Sequence, residues 1–279
     1  MSSFTKTIIV DQNHIEVEGE YRQTINAAAY DLRTTGGRII VEAGIYDIDG
    51  TDLNKRTITV YSNTTIVGSG NVVINVTADV PVFRNILWDQ PDGNHHITIS
   101  GFKIVESRTT SPYKNHLVDL RNVKNCLIEK LTITYEGTKG IYQYVKKNDQ
   151  DLTEEGQYAA ILIYSSGVTG TCINNIVRQC YIFDYGEYFP RIGEVEEKVY
   201  YGFGICLSGI ACRNNIIKNN YISGCLDGIF LMDTSNNIVA NNIFTSSAGY
   251  YPSGVGVLVQ NCDSTVISGN QITDNHDHG

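Results

Sequence analysis

Three passages in the second half of the chain repeat one phrase: NNIIKNNYI at 214–222, NNIVANNIF at 236–244 and STVISGNQI at 264–272. A unit this short cannot bury an apolar side on its own, so its copies must stack on one another. A chain built this way is expected to be a solenoid, elongated along the stacking axis.

The phrase defines a register, Ile/Val-x-x-Asn-x-apolar. It runs through Ile217, Asn220 and Ile222, then Val239, Asn242 and Phe244, then Ile267, Asn270 and Ile272. Earlier segments fit with the central polar residue replaced: Ile99, Phe102, Ile104; Ile128, Leu131, Ile133; Val177, Cys180, Ile182. The six central positions lie 29, 49, 40, 22 and 28 residues apart, so the shortest spacing approximates the bare turn. Each unit carries a second apolar stretch, seen in HLVDLRN at 116–122, GICLS at 204–208, GIFLMD at 228–233 and GVGVLVQN at 254–261. Short alternating runs bounded by Gly, Asn and Asp read as strands, and no sustained helical period appears after residue 50. Two or three strands per turn of this length predict a parallel β-helix. Asn220, Asn242 and Asn270 then form a ladder, each side-chain amide bonding its neighbours above and below inside a tight turn.

Near the N-terminus, YRQTINAAAYDLR at 21–33 predicts a helix with Ile25, Ala28, Ala29 and Leu32 on one face and Gly36-Gly37 as its stop. A helix placed before the first coil would cover the open end of the stack. The passage TINAAAYDLRTTGGRIIVEAGIYDI, followed by TITVYSNTTIVGSG, resembles the start of pectate-lyase-like right-handed β-helix proteins. In that family a short helix precedes a Gly-Gly-x-Val-x-x-Pro-x-Gly-x-Tyr turn; the Pro is absent here. The resemblance implies an all-β fold, a single-stranded right-handed parallel β-helix with a short N-terminal capping helix. The expected organisation is a cap over 1–50 and a β-helix over 51–279.

Subtracting the bare coil leaves insertions at about 105–115, 135–158, 183–203 and 245–253, all at one point of the repeat. Coils stacked in register must pile such insertions into a wall along one side. Of the 18 Tyr, eleven fall in or beside these segments. Tyr offers a flat apolar body with a polar tip, which suits a sugar ring. Tyr185, Tyr188, Tyr200, Tyr201, Tyr250 and Tyr251, with Arg191 and Arg121, are the expected substrate-binding residues.

Polysaccharide hydrolysis needs two carboxylates held about 5–9.5 Å apart. The segment FDYGEYFPRIGEVEEK at 183–198 is the richest source, and Asp184 and Glu187, nearest a strand end, are the preferred catalytic pair. Asp233 is a further catalytic candidate; together with Asp227 it flanks the strand GIFLM, although Asp at a coil corner is commonly a turn former. A lyase or epimerase would instead abstract the proton beside a uronate carboxyl group with Tyr, Lys or His, helped by a neutralising Arg. Asp119 and Arg121 project outward from one strand and fit that alternative. The Asp-Pro-His-Glu motif of alginate epimerases and the Gly-His-Gly motif of polygalacturonases are both absent.

The segment EYFPRIG at 187–193 with the following YGFGICLSGIACRNNIIKNNYI resembles a coil of inulin fructotransferases, trimeric β-helix enzymes whose active site lies between subunits. It implies a fructan-cleaving activity in a homotrimer. Outward apolar residues Cys206, Phe230, Met232 and Leu258 likewise predict a cover by the insertions or a subunit interface. The expected function is cleavage of a polysaccharide, by a glycoside hydrolase, fructotransferase or lyase reaction. The alternative is a non-catalytic tail, capsid or adhesion module that binds glycan or protein.

The net charge of −9 argues against nucleic acid and anionic membranes as partners, and an acidic polymer would need a local basic patch. No apolar stretch of signal-peptide or spanning length occurs, which points to synthesis in a cytosol, with virion association or lysis as the route outside. Seven Cys form no CxxC pair and are expected to be reduced core residues. No cofactor is expected, and no metal either, His276 and His278 lying at the chain end.

Overall fold

The computed structural model describes residues 6–10, 24–50, 57–107, 116–135, 158–167, 170–183, 189–190, 198–199, 202–225, 227–245 and 255–273. The chain winds into a parallel β-helix with three faces, each a stack of parallel strands in register. The first face holds Thr98–Ser100, Leu127–Glu129, Ile176–Arg178, Ile216–Lys218, Ile238–Ala240 and Val266–Ser268. The second holds Lys103–Glu106, Thr132–Tyr135, Tyr181–Phe183, Tyr221–Ser223, Ile243–Thr245 and Gln271–Thr273. The third runs from Ile58–Val60 and Phe83–Asn85 through Val118–Arg121, Tyr158–Tyr164, Gly202–Ser208 and Asp227–Met232 to Val255–Gln260.

The register expected from the sequence is the register observed. Ile99, Ile128, Val177, Ile217, Val239 and Ile267 stack on the first face. Ile104, Ile133, Ile182, Ile222, Phe244 and Ile272 stack on the second. Apart from the two in the last coil, these side chains are at most 2% exposed and form one continuous core along the axis.

The repeated Asn-Asn pairs divide their labour at the corners. The first Asn of each pair takes a left-handed backbone conformation: Asn214 (φ 58°), Asn219 (56°), Asn236 (54°) and Asn241 (55°). Asn tolerates this region better than other side-chain-bearing residues, so it can turn the chain between faces. The second Asn points inward. Asn220 donates from Nδ2 to Asn242 Oδ1 (3.0 Å) and to the Val177 carbonyl (3.2 Å), and its Oδ1 accepts from the Cys180 amide (3.0 Å). Asn242 repeats the pattern toward Asn270 at 3.0 Å. A second ladder, Asn175–Asn215–Asn237, runs along the corner between the third and first faces, at 2.9 and 3.1 Å.

The earlier coils reach the same shape with apolar corners: Phe102 and Leu131 precede the first ladder, Ile97 and Cys126 the second. Still earlier the corner between the first two faces vanishes. Thr64–Val76 is one long strand that pairs with Thr98–Ser100 and then with Lys103–Glu106. Gly68 passes so close to Gly101 that an added Cβ would lie 2.2 Å from the Gly101 carbonyl oxygen. Gly37–Ile48 pairs along the same strand, with a register shift between Glu42 and Gly44, so the sheet continues into the cap.

The helix spans Ile25–Asp31, shorter than the 21–33 pattern, with Thr24 as N-cap accepting from the Ala27 amide. Ile25, Ala28, Ala29 and Leu32 are its buried face. All seven Cys are free thiols; six are buried and Cys262 is half-buried.

Candidate functional site

Insertions leave the coil between the second and third faces: in successive turns the second-face strand ends at 106, 135, 183 and 245, and the third face resumes at 118, 158, 202 and 255. Within the third of them Phe189–Pro190 pairs antiparallel with Lys198–Val199. Asp184, Tyr185, Glu187, Tyr188, Arg191, Tyr200, Tyr201, Tyr250 and Tyr251 lie outside the described residues.

The outer side of the third face carries two rows in register. One runs Arg84, Asp119, Leu162, Cys206, Phe230, Leu258; the other runs Arg121, Tyr164, Ser208, Met232, Gln260. Both rows begin charged; the first turns apolar from Leu162 onward, and the second mixes Tyr164, Ser208, Met232 and Gln260. Leu162, Cys206 and Phe230 are at most 7% exposed and pack with Ala159 and Phe203 into a second cluster, with Tyr164, Met232 and Leu258 at its rim. The expected outward apolar stripe exists, and at Cys206 and Phe230 it is covered within a single chain.

At the charged end, Asp119 is fully buried beneath two guanidinium groups. Arg121 donates from Nε to Oδ1 at 2.7 Å and from Nη2 to Oδ2 at 3.3 Å. Arg84 donates to Oδ2 from Nε at 3.0 Å and from Nη2 at 2.7 Å. Burial alone would raise the Asp119 pKa, but Arg121, by charge and hydrogen bond, then Arg84 and His116 outweigh it and hold the carboxyl below the usual carboxylate range. Two fixed cations converge on this one anion in a chain of net −9.

Neighbouring groups hold this cluster in place. The buried Asn85 side chain brackets the Arg121 backbone, accepting from its amide at 2.8 Å and donating to its carbonyl at 2.9 Å. Asn94 Oδ1 accepts from Asn85 Nδ2 at 3.2 Å and from the Leu87 amide at 2.9 Å. That bond pins the loop bearing Trp88, whose ring has the Arg84 and Arg121 guanidiniums 5.4 and 5.3 Å from its centroid. Arg121 also lies 5.6 Å from the Tyr164 ring centroid. His116 accepts from the Ala159 amide at Nδ1 (3.0 Å), so the neutral imidazole carries its proton on Nε2. His116, Arg121, Leu162, Tyr164, Cys206, Ser208 and Met232 line a pocket of about 130 Å³. Burial pushes the Cys206 thiol up to about 12, so it serves as wall and not as nucleophile.

Asp227 lies on the same outer side, beside Phe203, and is 4% exposed. Burial raises its pKa to about 6 against one opposing hydrogen bond from the Val255 amide at 3.3 Å. Asp233 is exposed at a corner with φ 55°, the conformation of a turn former. Asp119 is in register with Phe230 across three strand spacings. Asp227 and Asp233 each lie three residues along from Phe230, which puts both roughly 17 Å from Asp119 and about 20 Å from each other. Asp119, Asp227 and Asp233 therefore make no pair at hydrolytic separation.

The family model for a right-handed β-helix region matches residues 86–279. The chain belongs to the right-handed β-helix family. No curated protein sequence matches this β-helix. Among solved structures it is similar to ORF18 of Geobacillus virus E2, at 12% identity and a TM-score of 0.34. That match covers 95% of this chain and 62% of the phage protein, so the chain spans less than two thirds of that relative. The A-module of the Azotobacter vinelandii mannuronan C-5 epimerase AlgE4 is matched at 10% identity and a TM-score of 0.22, over 91% of this chain and 90% of that one. The AlgE6 A-module is matched at 12% and 0.26, over 90% and 88%. None of these resemblances carries chemistry to this β-helix.

Of the sequence candidates among the described residues, Arg121 alone lines the pocket. Arg84, Trp88, His116, Tyr164 and Ser208 were not singled out, because they come from four different coils and no local pattern joins them. The signal available was the HLVDLR strand, with Asp and Arg both on its outward side. Among the described residues, no three metal-ligating side chains converge and no helix is long and apolar enough to cross a membrane.

Proposed function

We propose that this β-helix acts on an acidic polysaccharide at the outer side of its third face, by proton abstraction of the lyase or epimerase type. The observation that carries the reading is the pocket in which Arg121, immobilised by Asp119, stands beside His116, Tyr164 and Ser208. A uronate carboxylate beside Arg121 would lose its repulsion for electrons, which acidifies the adjacent C–H bond. With its Nδ1 engaged by the Ala159 amide, His116 presents Nε2–H and acts as the donor. Tyr164, after its phenolic proton has passed to solvent, is then the lining side chain suited to take the proton from carbon. This chemistry needs no second carboxylate, which is consistent with Asp119, Asp227 and Asp233 lying too far apart for hydrolysis.

A panel of uronate-containing and neutral polysaccharides tests the reading. Ultraviolet absorbance of unsaturated uronates reports elimination, NMR of the polymer reports epimerisation, and reducing ends without that absorbance report hydrolysis. Tyr164→Phe and Arg121→Met should each abolish turnover of an acidic polymer while the fold is retained. Reducing ends lost in Asp184→Asn or Glu187→Gln, with Tyr164→Phe unaffected, would instead assign hydrolysis to the 183–203 insertion. Binding without turnover of any glycan would make the chain a glycan-binding tail, capsid or adhesion module.

We also propose a homotrimer, packed through the first face. Its outward row of Leu127, Ile176, Ile216, Ile238 and Val266 is aliphatic throughout, and Ile238 and Val266 are 39% and 53% exposed. Light scattering should give three chains per particle, and Ile238→Asp should release monomers. A monomeric wild-type chain would end this part of the proposal.

A further inference from the structure

We propose that the second face carries a separate saccharide-binding platform, formed by Tyr181, Phe183 and Tyr221, that takes neutral hexose residues. On this face the strand pairing sets Tyr181 beside Tyr221 and Phe183 beside Ser223. The rings lie nearly flat to one another: Tyr181–Phe183 at 6.5 Å and 16°, Tyr181–Tyr221 at 6.3 Å and 29°. Phe183 and Tyr221 close the group at 5.4 Å. Tyr181 is 51% exposed although its neighbours on the core side, Cys180 and Ile182, are fully buried.

An exposed aromatic group has an unfavourable surface in water, and its surroundings indicate what it would take. The Tyr181–Tyr221 row also holds Thr132, Ile243 (37% exposed) and Gln271, and the Phe183 row holds Thr134, Ser223, Thr245 and Thr273, so one aliphatic side chain and six neutral hydrogen-bonding ones surround the rings. Tyr221 Oη lies 3.3 Å from Thr245 Oγ1, which fixes the phenol within the surface. The one charged residue of these rows is Lys103, at the far N-terminal end. A cluster of aromatic rings fringed by hydroxyls and an amide suits a pyranose ring, whose C–H face is apolar and whose rim is hydroxylated. A second copy of the chain fits less well, since the aliphatic row of the first face, from Leu127 to Val266, offers a longer apolar surface for that purpose. A peptide strand would need a sheet edge, and this is a face.

The platform stands across the insertion corner from the pocket and does not depend on the reaction proposed there. Native gels cast with dextran, laminarin or hydroxyethyl cellulose measure binding directly, with alginate as the acidic control. The wild-type chain should be retarded by at least one of the neutral polymers. Tyr181→Ala and Tyr221→Ala should weaken that binding about five- to tenfold, while Tyr181→Phe, which keeps the ring, should retain it. Thermal melting matched to wild type shows that Tyr181→Ala, at a half-exposed site, leaves the fold intact. Absence of retardation in every neutral gel overturns the proposal, and so does retardation that Tyr181→Ala leaves unchanged. Concentration-dependent self-association abolished by Tyr181→Ala would also overturn it, assigning the rings to a second copy. Because the gels score binding without turnover, a failed assay of the pocket leaves this result readable.

Discussion

The early and late coils have the same outline but place their polar groups on opposite sides of the wall. In the late coils Asn175, Asn215, Asn220, Asn237 and Asn242 are buried at the corners, bonded to one another and to backbone. The corresponding corners of the early coils are filled by Ile97, Phe102, Cys126 and Leu131. There the fixed polar side chains sit on the outer side of the third face, as Arg84, Asp119 and Arg121. The difference teaches where to look for function. Polar residues that recur from coil to coil are satisfying the backbone, and those that do not recur are free to face a ligand.

The comparison can be broken at either end. The largest effect is expected at the ladder: Asn220→Ala removes the side-chain partner of the Cys180 amide and of the Val177 carbonyl in buried surroundings, while Asn242 Oδ1 keeps the Asn220 amide. Each such group costs about 1–3 kcal/mol when left unmade, so chemical denaturation should show a loss of roughly 3 kcal/mol or more. A loss under about 1 kcal/mol would mean the ladder is not structural.

Next comes Asp119→Ala, which leaves two guanidiniums facing each other across an empty carboxylate site. A loss of roughly 2–3 kcal/mol is expected, less than for a fully buried pair because both Arg side chains are about a quarter exposed. The same substitution should abolish turnover if Asp119 holds Arg121 in place. Wild-type turnover in that variant would separate the charged cluster from the chemistry.

The smallest effect sharpens the contrast between the two buried carboxyls. Asp119 has a folded pKa below the unfolded one, so its contribution is present at neutral pH and lost as pH falls through the folded value. Asp227 has the opposite sign. With its folded pKa raised to about 6, its stability is full below the unfolded value and is lost as pH rises through about 6. Asp227→Asn should therefore remove a decline on the order of 2 kcal/mol between acid and neutral pH. An unchanged pH–stability curve would show that Asp227 is solvated.

How far the sequence could be read follows from the same contrast. The strand register, the Asn220–Asn242–Asn270 ladder, the buried face of the helix and the outward placement of Cys206 and Phe230 were all legible, because they depend on local periodicity repeated many times. The second ladder, Asn175–Asn215–Asn237, was present in the same Asn-Asn phrases, but a single stretch does not reveal which Asn of each pair turns inward. The cluster around Asp119 was only partly legible. Asp119 and Arg121 are two residues apart, whereas Arg84 is 35 residues from Asp119 and Tyr164 lies 43 beyond Arg121, brought together by coils of unequal length. Asp233 carried both readings from the start; its left-handed backbone, shared with Asn122 and Asn261, is a property of the corner.

The sequence by itself determined that this chain stacks, how its strands align and which residues fill the core, because each of those outcomes is enforced anew in every coil. Only the tertiary structure decided which side chains from non-repeating positions share a surface. Their proximity depends on how much chain each coil inserts before returning to the third face, a length that local pattern does not constrain.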